Sequence, residues 1–197
     1  MRKTVLAVLA GFLLLAAAPA AHAELKTFLI DKDHTTVGFS VRHMFTNQTG
    51  LFRTFEGAIT MDPKTGVIGS GKTVIETASV DTRHEKRDGH LKSPDFFNVE
   101  QYPAMTFVIT QSRLNGDSME VRGELTLLGV TKPVTMTAKY LGVGKDPWGN
   151  TRAGLSATGR INRKDFGMDF NKVLDSGGML VGDLVDINLE VELIQQN

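Results

Sequence analysis

Apolar and polar residues alternate along most of the chain from Thr35 onward. The last such run has its apolar side chains at Val185, Ile187, Leu189, Val191 and Leu193. Comparable runs cover residues 37–41, 105–110, 119–127, 134–140 and 152–161. A period of two puts every second side chain on one face, which is typical of half-buried antiparallel strands. The sequence therefore predicts an all-β fold.

Compact turn chemistry separates these runs. The segments 62–66, 115–117 and 146–150 are rich in Asp, Asn, Pro and Gly. Asn115 and Gly116 suit a tight hairpin, because both residues tolerate a positive φ. Strands joined in this way form an up-and-down meander, and about eight long strands tend to close into a barrel that has no exposed edges.

Two segments break the alternation. Residues 82–97 are polar and include a predicted helix, best placed at 84–92, so we expect a short helix inserted around residues 84–97. Pro94 suits the first position of a further turn or short helix. Residues 164–181 are rich in Gly and Asp and are predicted to form a long loop, a feature that is often functional in a compact domain.

The N-terminus has the three parts of a secretory signal. Arg2 and Lys3 precede an apolar run from Thr4 to Ala18, and Ala21-His22-Ala23 is a small-x-small cleavage site. The apolar run is shorter than the ~20 residues of a membrane span. We therefore expect residues 1–23 to be cleaved, residues 24–197 to form one domain, and the protein to work in the periplasm without a permanent membrane anchor.

Composition excludes several kinds of function. The chain has 22 basic and 22 acidic residues, and two of the basic ones leave with the signal, so no positive excess remains to attract nucleic acid. There is no cysteine, which removes disulfides, thiol nucleophiles and thiolate metal ligands. We expect no metal and no cofactor.

The polar residues with catalytic potential form no recognised motif. His43 follows the inward face of its strand, which fits a structural histidine or a contact to a ligand head group. Either His43 or the Asp88/His90 pair could act as acid and base in an enzyme on a small lipid, but no G-x-S-x-G nucleophile turn accompanies them. Arg87 and Asp88 fit an ion pair that fixes the helix to the barrel, and Arg87 with His90 could form an anion site. We therefore expect no enzyme.

The chain supplies many large apolar side chains, including 11 Phe and 8 Met. A barrel of ~8 strands is either plugged by such side chains or holds one ligand. Periodicity alone does not choose between a filled core and a cavity.

Several segments resemble the YceI-like polyisoprenoid-binding family. The most specific are R-D-x-H-L-x-S-x-D-F-F at 87–97 and L-T-x-x-G-V-T-K-P at 125–133. Others lie at 30–44, 50–57, 78–82, 102–107 and 161–167, in the family's order. Leu128 is a mild departure, since the family often has a polar residue or His there.

The resemblance implies an elongated lipocalin-like barrel whose cavity holds an isoprenoid, either a polyprenyl or a quinone-like lipid. The apolar strand faces and the end of the helix supply the candidate lining residues: Phe39, Val41, Phe55, Val74, Phe96, Phe97, Met105, Phe107, Val121, Leu125, Leu127, Met136, Leu155 and Leu189. Phe52 is expected to face away from Phe55, so that at most one of the two lines the cavity. Candidate head-group contacts are His43, Arg87 and His90.

The expected function is a carrier or binding protein for this lipid. The alternatives are a stress-related interaction module with a filled barrel and, third, the small-lipid hydrolase. A homodimer is kept as a candidate oligomeric state.

Overall fold

The computed structural model describes residues 24–175 and 177–196, so the expected signal at 1–23 lies outside the described residues. Within them the chain forms one short α-helix and eleven strands. The helix is α1 (Glu85–Lys92), and 3₁₀ turns cover Thr77–Ser79 and Arg163–Phe166. The strands are β1 (Lys26–Ile30), β2 (Thr36–His43), β3 (Thr46–Phe52), β4 (Phe55–Met61), β5 (Ile68–Glu76), β6 (Val80–Asp81), β7 (Ala104–Asn115), β8 (Ser118–Leu127), β9 (Val130–Lys145), β10 (Thr151–Asn162) and β11 (Val181–Gln195).

The strands form one closed antiparallel sheet. Its order is β1-β4-β5-β7-β8-β9-β10-β11, and β11 pairs back to β1. Strands β2, β3 and β6 continue this ring, because β2 pairs with β11 and β3, and β6 pairs with β3. Three positions in the ring are therefore each filled by two short strands that lie end to end: β1 and β2, β4 and β3, and β5 and β6. The barrel therefore has eight strand positions, which confirms the predicted all-β lipocalin-like architecture.

Alternating burial follows the sequence pattern. Along β8 every second residue from Met119 to Leu127 is buried, and these side chains fill the interior. The predicted turns at 62–66, 115–117 and 146–150 connect consecutive strands as expected. A further two-residue turn joins β8 to β9, with φ of 52° at Leu128 and 74° at Gly129. A turn position with positive φ favours Gly, Asn or Asp. Leu128 occupies such a position with a bulky side chain, so its backbone is strained.

The interior divides into two parts. We define the lower half of the barrel by one cluster of closely packed buried side chains: Phe28, Ile59, Met61, Ile68, Met119, Val121, Ala138, Ala153, Leu155 and Leu193. The upper half holds a second cluster that includes the aromatic residues Phe52, Phe55, Phe96, Phe97 and Phe166. The lower half is a filled core, and the cavity described below lies in the upper half.

The two irregular segments cover the upper end of the barrel. Helix α1 begins after His84, whose side chain accepts a hydrogen bond from the backbone N–H of Arg87, and it is followed by a turn over residues 94–97. The second segment joins β10 to β11. It starts with the 3₁₀ turn Arg163–Phe166 and includes one isolated bridge, between Val173 and Met179.

Candidate ligand-binding cavity

An apolar cavity of about 180 Å³ occupies the upper half of the barrel. Strands β2, β5, β7, β8, β9 and β11 contribute to its wall, and residues from α1 and the following turn cover one side. Ten of the predicted lining residues face it: Phe39, Val41, Phe96, Phe97, Met105, Phe107, Leu125, Leu127, Met136 and Leu189. The side chains of these ten residues therefore point toward the cavity, as predicted. That they contact a ligand stays a prediction.

Four predicted lining residues lie elsewhere. Val74 is on the opposite face of β5 from Thr73 and Ile75, both of which line the cavity. Because Val74 and Ile75 are adjacent and both apolar, the alternation of the sequence does not indicate which face of β5 points inward. Val121 and Leu155 are buried in the lower half, so their faces are inward but their height along the barrel is wrong.

The fourth predicted lining residue that lies elsewhere is Phe55, which follows a break between β3 and β4. Phe52 lines the cavity and Phe55 does not, yet both are buried, with 6% and 4% of their surface exposed. The expectation that they face opposite sides is wrong, because Arg53 and Thr54 interrupt the strand between β3 and β4. A strict period of two does not carry across such a break.

Sequence reasoning missed much of the wall. Besides Phe52, Thr73 and Ile75, the cavity is lined by Ile30, Thr35, Val37, Gly38, Leu91, Val134, Ile161, Arg163, Met168, Val181, Val185, Ile187 and Val191. Most of these residues share the alternation with predicted neighbours on the same strands. The sequence also indicates that Arg163 points inward, because it follows the inward residue Ile161 of β10 by two positions.

Arg163 is the exceptional residue of the wall. Its side chain is only 2% exposed. Nε donates to the carbonyl of Gly182 at 2.9 Å and Nη1 to that of Met168 at 2.6 Å. Nη2 is buried and has no hydrogen-bond partner within the described residues. Burial lowers the pKa of Arg163, and the carboxylates of Asp183 and Asp169 oppose that shift.

The predicted head-group residues have other contacts. Arg87 donates to the hydroxyl and the carbonyl of Thr82, at 2.7 and 2.9 Å. Asp88 accepts from the same hydroxyl at 2.5 Å. The predicted Arg87–Asp88 ion pair is therefore wrong in detail, since the two side chains meet at Thr82 and anchor α1 through it.

Neither histidine lines the cavity. His90 is hydrogen-bonded to Asp95 at 2.8 Å, and its ring packs edge-on against Phe96 and Phe170, so it supports the aromatic cover from outside. His43 is half-buried at the end of β2, where it pairs with Val181 of the cavity wall. Asp88 and His90 thus each have a structural hydrogen-bond partner, Thr82 and Asp95 respectively.

A charged cluster lies where β1 leaves the seam with β11. Arg152 binds Asp31 and also contacts Asp146 at 2.8 Å and Glu192 at 2.5 Å. Burial alone would raise the pKa of Asp31, but hydrogen bonds from Arg152 and His34 outweigh it and lower that pKa to about 2. The hydrogen bond to Asp31 raises the pKa of His34 in turn.

The same cluster contains the one arrangement among the described residues that resembles a metal site. Ligand atoms of Asp31, His34 and Glu192 lie within 4.8 Å of one another. The guanidinium of Arg152 already supplies positive charge to two of these carboxylates. The cluster therefore works as an ion-pair network that holds β1, β10 and β11 together.

A closed eight-strand barrel with an apolar chamber in one half defines the class of this protein as a lipocalin-like β-barrel. The sequence model described as YceI-like domain matches residues 28–193. The chain belongs to the YceI-like family.

Relatives and solved structures agree with this assignment. The chain is 41% identical to Protein YceI of Escherichia coli O157:H7 over 199 residues, covering all of both chains. The crystal structure of the Campylobacter jejuni YceI protein superposes with a TM-score of 0.69 at 32% identity, covering 85% of this chain and 96% of that one. A polyisoprenoid binding domain from Saccharophagus degradans shares the fold, with a TM-score of 0.66 and 15% identity, covering 88% of this chain and all of that domain.

The helices meant here are those within residues 24–175 and 177–196. None of them is long and apolar enough to cross a bilayer.

Proposed function

We propose that this protein binds an isoprenoid lipid and holds part of its chain in the upper-half cavity. The observation that carries the proposal is the cavity itself, whose wall is almost entirely aliphatic, aromatic and methionine side chains. Such a wall offers dispersion and hydrophobic contact along its length and few directional polar contacts. The Saccharophagus degradans domain of the same fold is described as polyisoprenoid binding, which supports this class of ligand.

The size of the cavity bears on how much of a lipid it holds. At about 180 Å³ it is slightly larger than the ~150 Å³ engineered cavities that bind benzene. It therefore accommodates one or two isoprene units without rearrangement. Met105, Met136 and Met168 line it, and methionine side chains repack readily around ligands of different shape. We propose that a longer chain enters by displacing these side chains.

Burial of the chain is a sufficient source of affinity. Each buried methylene contributes about 0.8 kcal/mol, so one five-carbon isoprene unit contributes roughly 4 kcal/mol before the costs of association are subtracted. Two units contribute roughly 8 kcal/mol, which is comparable with the cost of association of about 4–15 kcal/mol, so a stable complex needs the burial of a longer stretch of the chain. The lipid is then the ligand of the protein, and we propose no metal or cofactor.

The remaining parts of the proposal concern location and role. The N-terminal sequence supports export, and we propose that the mature chain acts in the periplasm. A lipid with an isoprenoid tail needs a protein host to cross an aqueous compartment, and an exported barrel supplies one. The structural contacts of Asp88 and His90 support a binding protein in preference to a hydrolase.

A charge placed in the cavity tests the proposal. Phe107 lines the cavity, whereas Thr106 is the next residue on β7 and faces outward. Phe107→Asp puts a carboxylate without a partner among apolar groups, which costs several kcal/mol or forces its protonation. Binding of geranylgeraniol, followed by native mass spectrometry, should fall steeply in Phe107→Asp and stay nearly intact in Thr106→Asp.

Two results would contradict the proposal. One is unchanged binding in a folded Phe107→Asp protein, which would place the ligand elsewhere. The other is a wild-type protein that binds no prenyl lipid and carries no apolar molecule when purified without added lipid.

A further inference from the structure

Four exposed apolar side chains lie together at the upper end of the barrel. Met44 and Phe45 form the turn between β2 and β3, and Val173 and Met179 belong to the segment between β10 and β11. Their exposed fractions are 39%, 78%, 71% and 57%. The backbone N–H of Met44 donates to the carbonyl of Leu180 at 3.0 Å, and Val173 and Met179 form a β-bridge, so the two segments are neighbours. We call these four side chains the apical patch.

The apical patch adjoins the wall of the cavity. His43 of β2 is the register partner of Val181 of β11, and Val181 lines the cavity. Val41, two residues before His43, lines it as well. Met44 follows His43 directly, and Met179 precedes Val181 by two residues. The apolar surface of the wall and that of the patch are therefore separated by only two residues on β2 and by one on the approach to β11.

The size of the apical patch favours a bilayer over a protein partner. Four side chains of at most ~200 Å² each, exposed to these fractions, present roughly 500 Å² in all. A stable protein interface covers about 800 Å² on each partner, so the patch is small for one. By contrast, a few bulky apolar side chains that reach the boundary between headgroups and acyl chains attach a protein reversibly to a bilayer.

The charges around the apical patch are balanced. Residues 42–47 and 169–180 carry two basic and two acidic side chains, which are Arg42, Lys172, Asp169 and Asp175. Such a rim neither keeps the patch away from a membrane nor draws it to an anionic one at long range. Apolar insertion then accounts for the attachment, and added salt should change it little.

We propose that the apical patch docks onto the surface of a phospholipid bilayer and so places the cavity next to the phase in which its ligand dissolves. This inference rests on the proposed function, because that function supplies the lipid that has to pass between the bilayer and the barrel. Docked in this way, the barrel takes up the prenyl chain on the side of β2 and β11, and the chain does not cross water as a free molecule.

Matched variants at the two ends of the barrel test the proposal. Phe45 is 78% exposed in the apical patch, and Trp148 is 80% exposed at the lower end. Binding of wild type, Phe45→Ser, Met179→Ser and Trp148→Ser to phosphatidylcholine vesicles is measured by flotation. We expect Phe45→Ser to bind roughly tenfold more weakly than wild type, because its bulky apolar side chain no longer leaves water. Met179→Ser should bind several-fold more weakly, and Trp148→Ser should bind as wild type does.

A transfer assay connects docking to the ligand. Geranylgeraniol is dissolved in the vesicles, and its appearance in the protein is followed over time by native mass spectrometry. Phe45→Ser should slow this transfer several-fold. It should leave the affinity for geranylgeraniol in vesicle-free solution unchanged, because Phe45 is not part of the cavity wall. The changed side chains are exposed, so the variants should fold, which circular dichroism checks.

The outcomes separate the docking proposal from the lipid-binding function. A wild-type protein that binds geranylgeraniol but no vesicles overturns docking and leaves the function standing. Equal loss of vesicle binding in Phe45→Ser and Trp148→Ser overturns docking too, because the attachment would then be unspecific. So does a wild-type dimer that Phe45→Ser converts to a monomer, since the patch would then join two copies of this chain. A wild-type protein that binds no prenyl lipid overturns the proposed function, and the docking proposal with it.

Discussion

The filled lower half and the hollow upper half of the barrel should respond differently to the same mutation. Leu189 and Leu193 lie on the inward face of β11, two inward positions apart. Leu189 lines the cavity, whereas Leu193 is fully buried in the lower-half cluster. Changing each to alanine removes the same three carbon atoms from the same strand, so the pair is internally matched.

The expected magnitudes follow from the surroundings of each side chain. Three buried carbons at about 0.8 kcal/mol each correspond to roughly 2.4 kcal/mol of lost transfer free energy. Leu193→Ala also opens a void in close packing, so its free energy of unfolding should fall by about 3–5 kcal/mol. Leu189 already faces empty space on one side and makes fewer contacts, so Leu189→Ala should cost about 1–2 kcal/mol.

Lipid binding should show the opposite order. Leu189→Ala removes wall atoms that contact the chain and should weaken geranylgeraniol binding roughly fivefold, which corresponds to about 1 kcal/mol. Leu193→Ala should leave binding nearly unchanged under conditions in which the protein stays folded.

Stability is measured by urea unfolding followed by far-ultraviolet circular dichroism, and binding by native mass spectrometry. Trp148 does not report on the cavity, because it is 80% exposed in the turn between β9 and β10 at the lower end. The reasoning is refuted if the two variants lose equal stability and equal affinity, or if Leu193→Ala loses binding while Leu189→Ala keeps it.

Two further predictions concern the charged cluster and its control. Stability should be highest between about pH 4 and 6.5, because the contribution of Asp31 is lost as pH falls from its unfolded pKa of 3.8 toward about 2. The contribution of His34 is complete below pH 6.5 and is lost as pH rises through its raised folded pKa. Urea midpoints measured against pH should show both slopes in wild type. Asp31→Asn should lose the slope above pH 6.5 and keep a weaker acid slope, because hydrogen bonds from Arg152 and Asn150 also lower the pKa of Asp146. Arg152→Met leaves buried carboxylates without their cation and should lower the thermal midpoint by several degrees. Arg160→Met breaks only the exposed pair with Asp186 and should change the midpoint little, so equal shifts in the two arginine variants would show that the cluster does not hold the seam.

The sequence was a good guide wherever alternation ran without interruption. On β7, β8 and β11 the faces of Phe107, Leu125 and Leu189 followed directly from a period of two. Alternation identifies the face of a strand but says nothing about height along the barrel. For that reason Val121 and Leu155 were correctly turned inward and yet belong to the filled half.

Local irregularities limited the rest. At Phe52 and Phe55 a bend changes the phase of burial, and in β5 consecutive apolar residues at Val74 and Ile75 hide the inward face. The exact partners of Arg87 and Asp88 depend on how α1 folds back onto Thr82, which is a tertiary contact and leaves no periodic signal. Arg163 was overlooked because a charged residue on an inward face contradicts the usual distribution of residues.

The pairing of β1 and β2 with β11 also has a kinetic consequence. The first strands of the described chain meet the last one along its whole length, from Phe28 beside Gln195 to His43 beside Val181. Contacts this far apart in sequence form late, since the loop-closure entropy must be lost before they stabilise the chain. A growing chain therefore stays an open sheet with two free edges until its last fifteen-residue strand is complete. A version shortened before β11 would accordingly be an unclosed, aggregation-prone sheet rather than a smaller barrel.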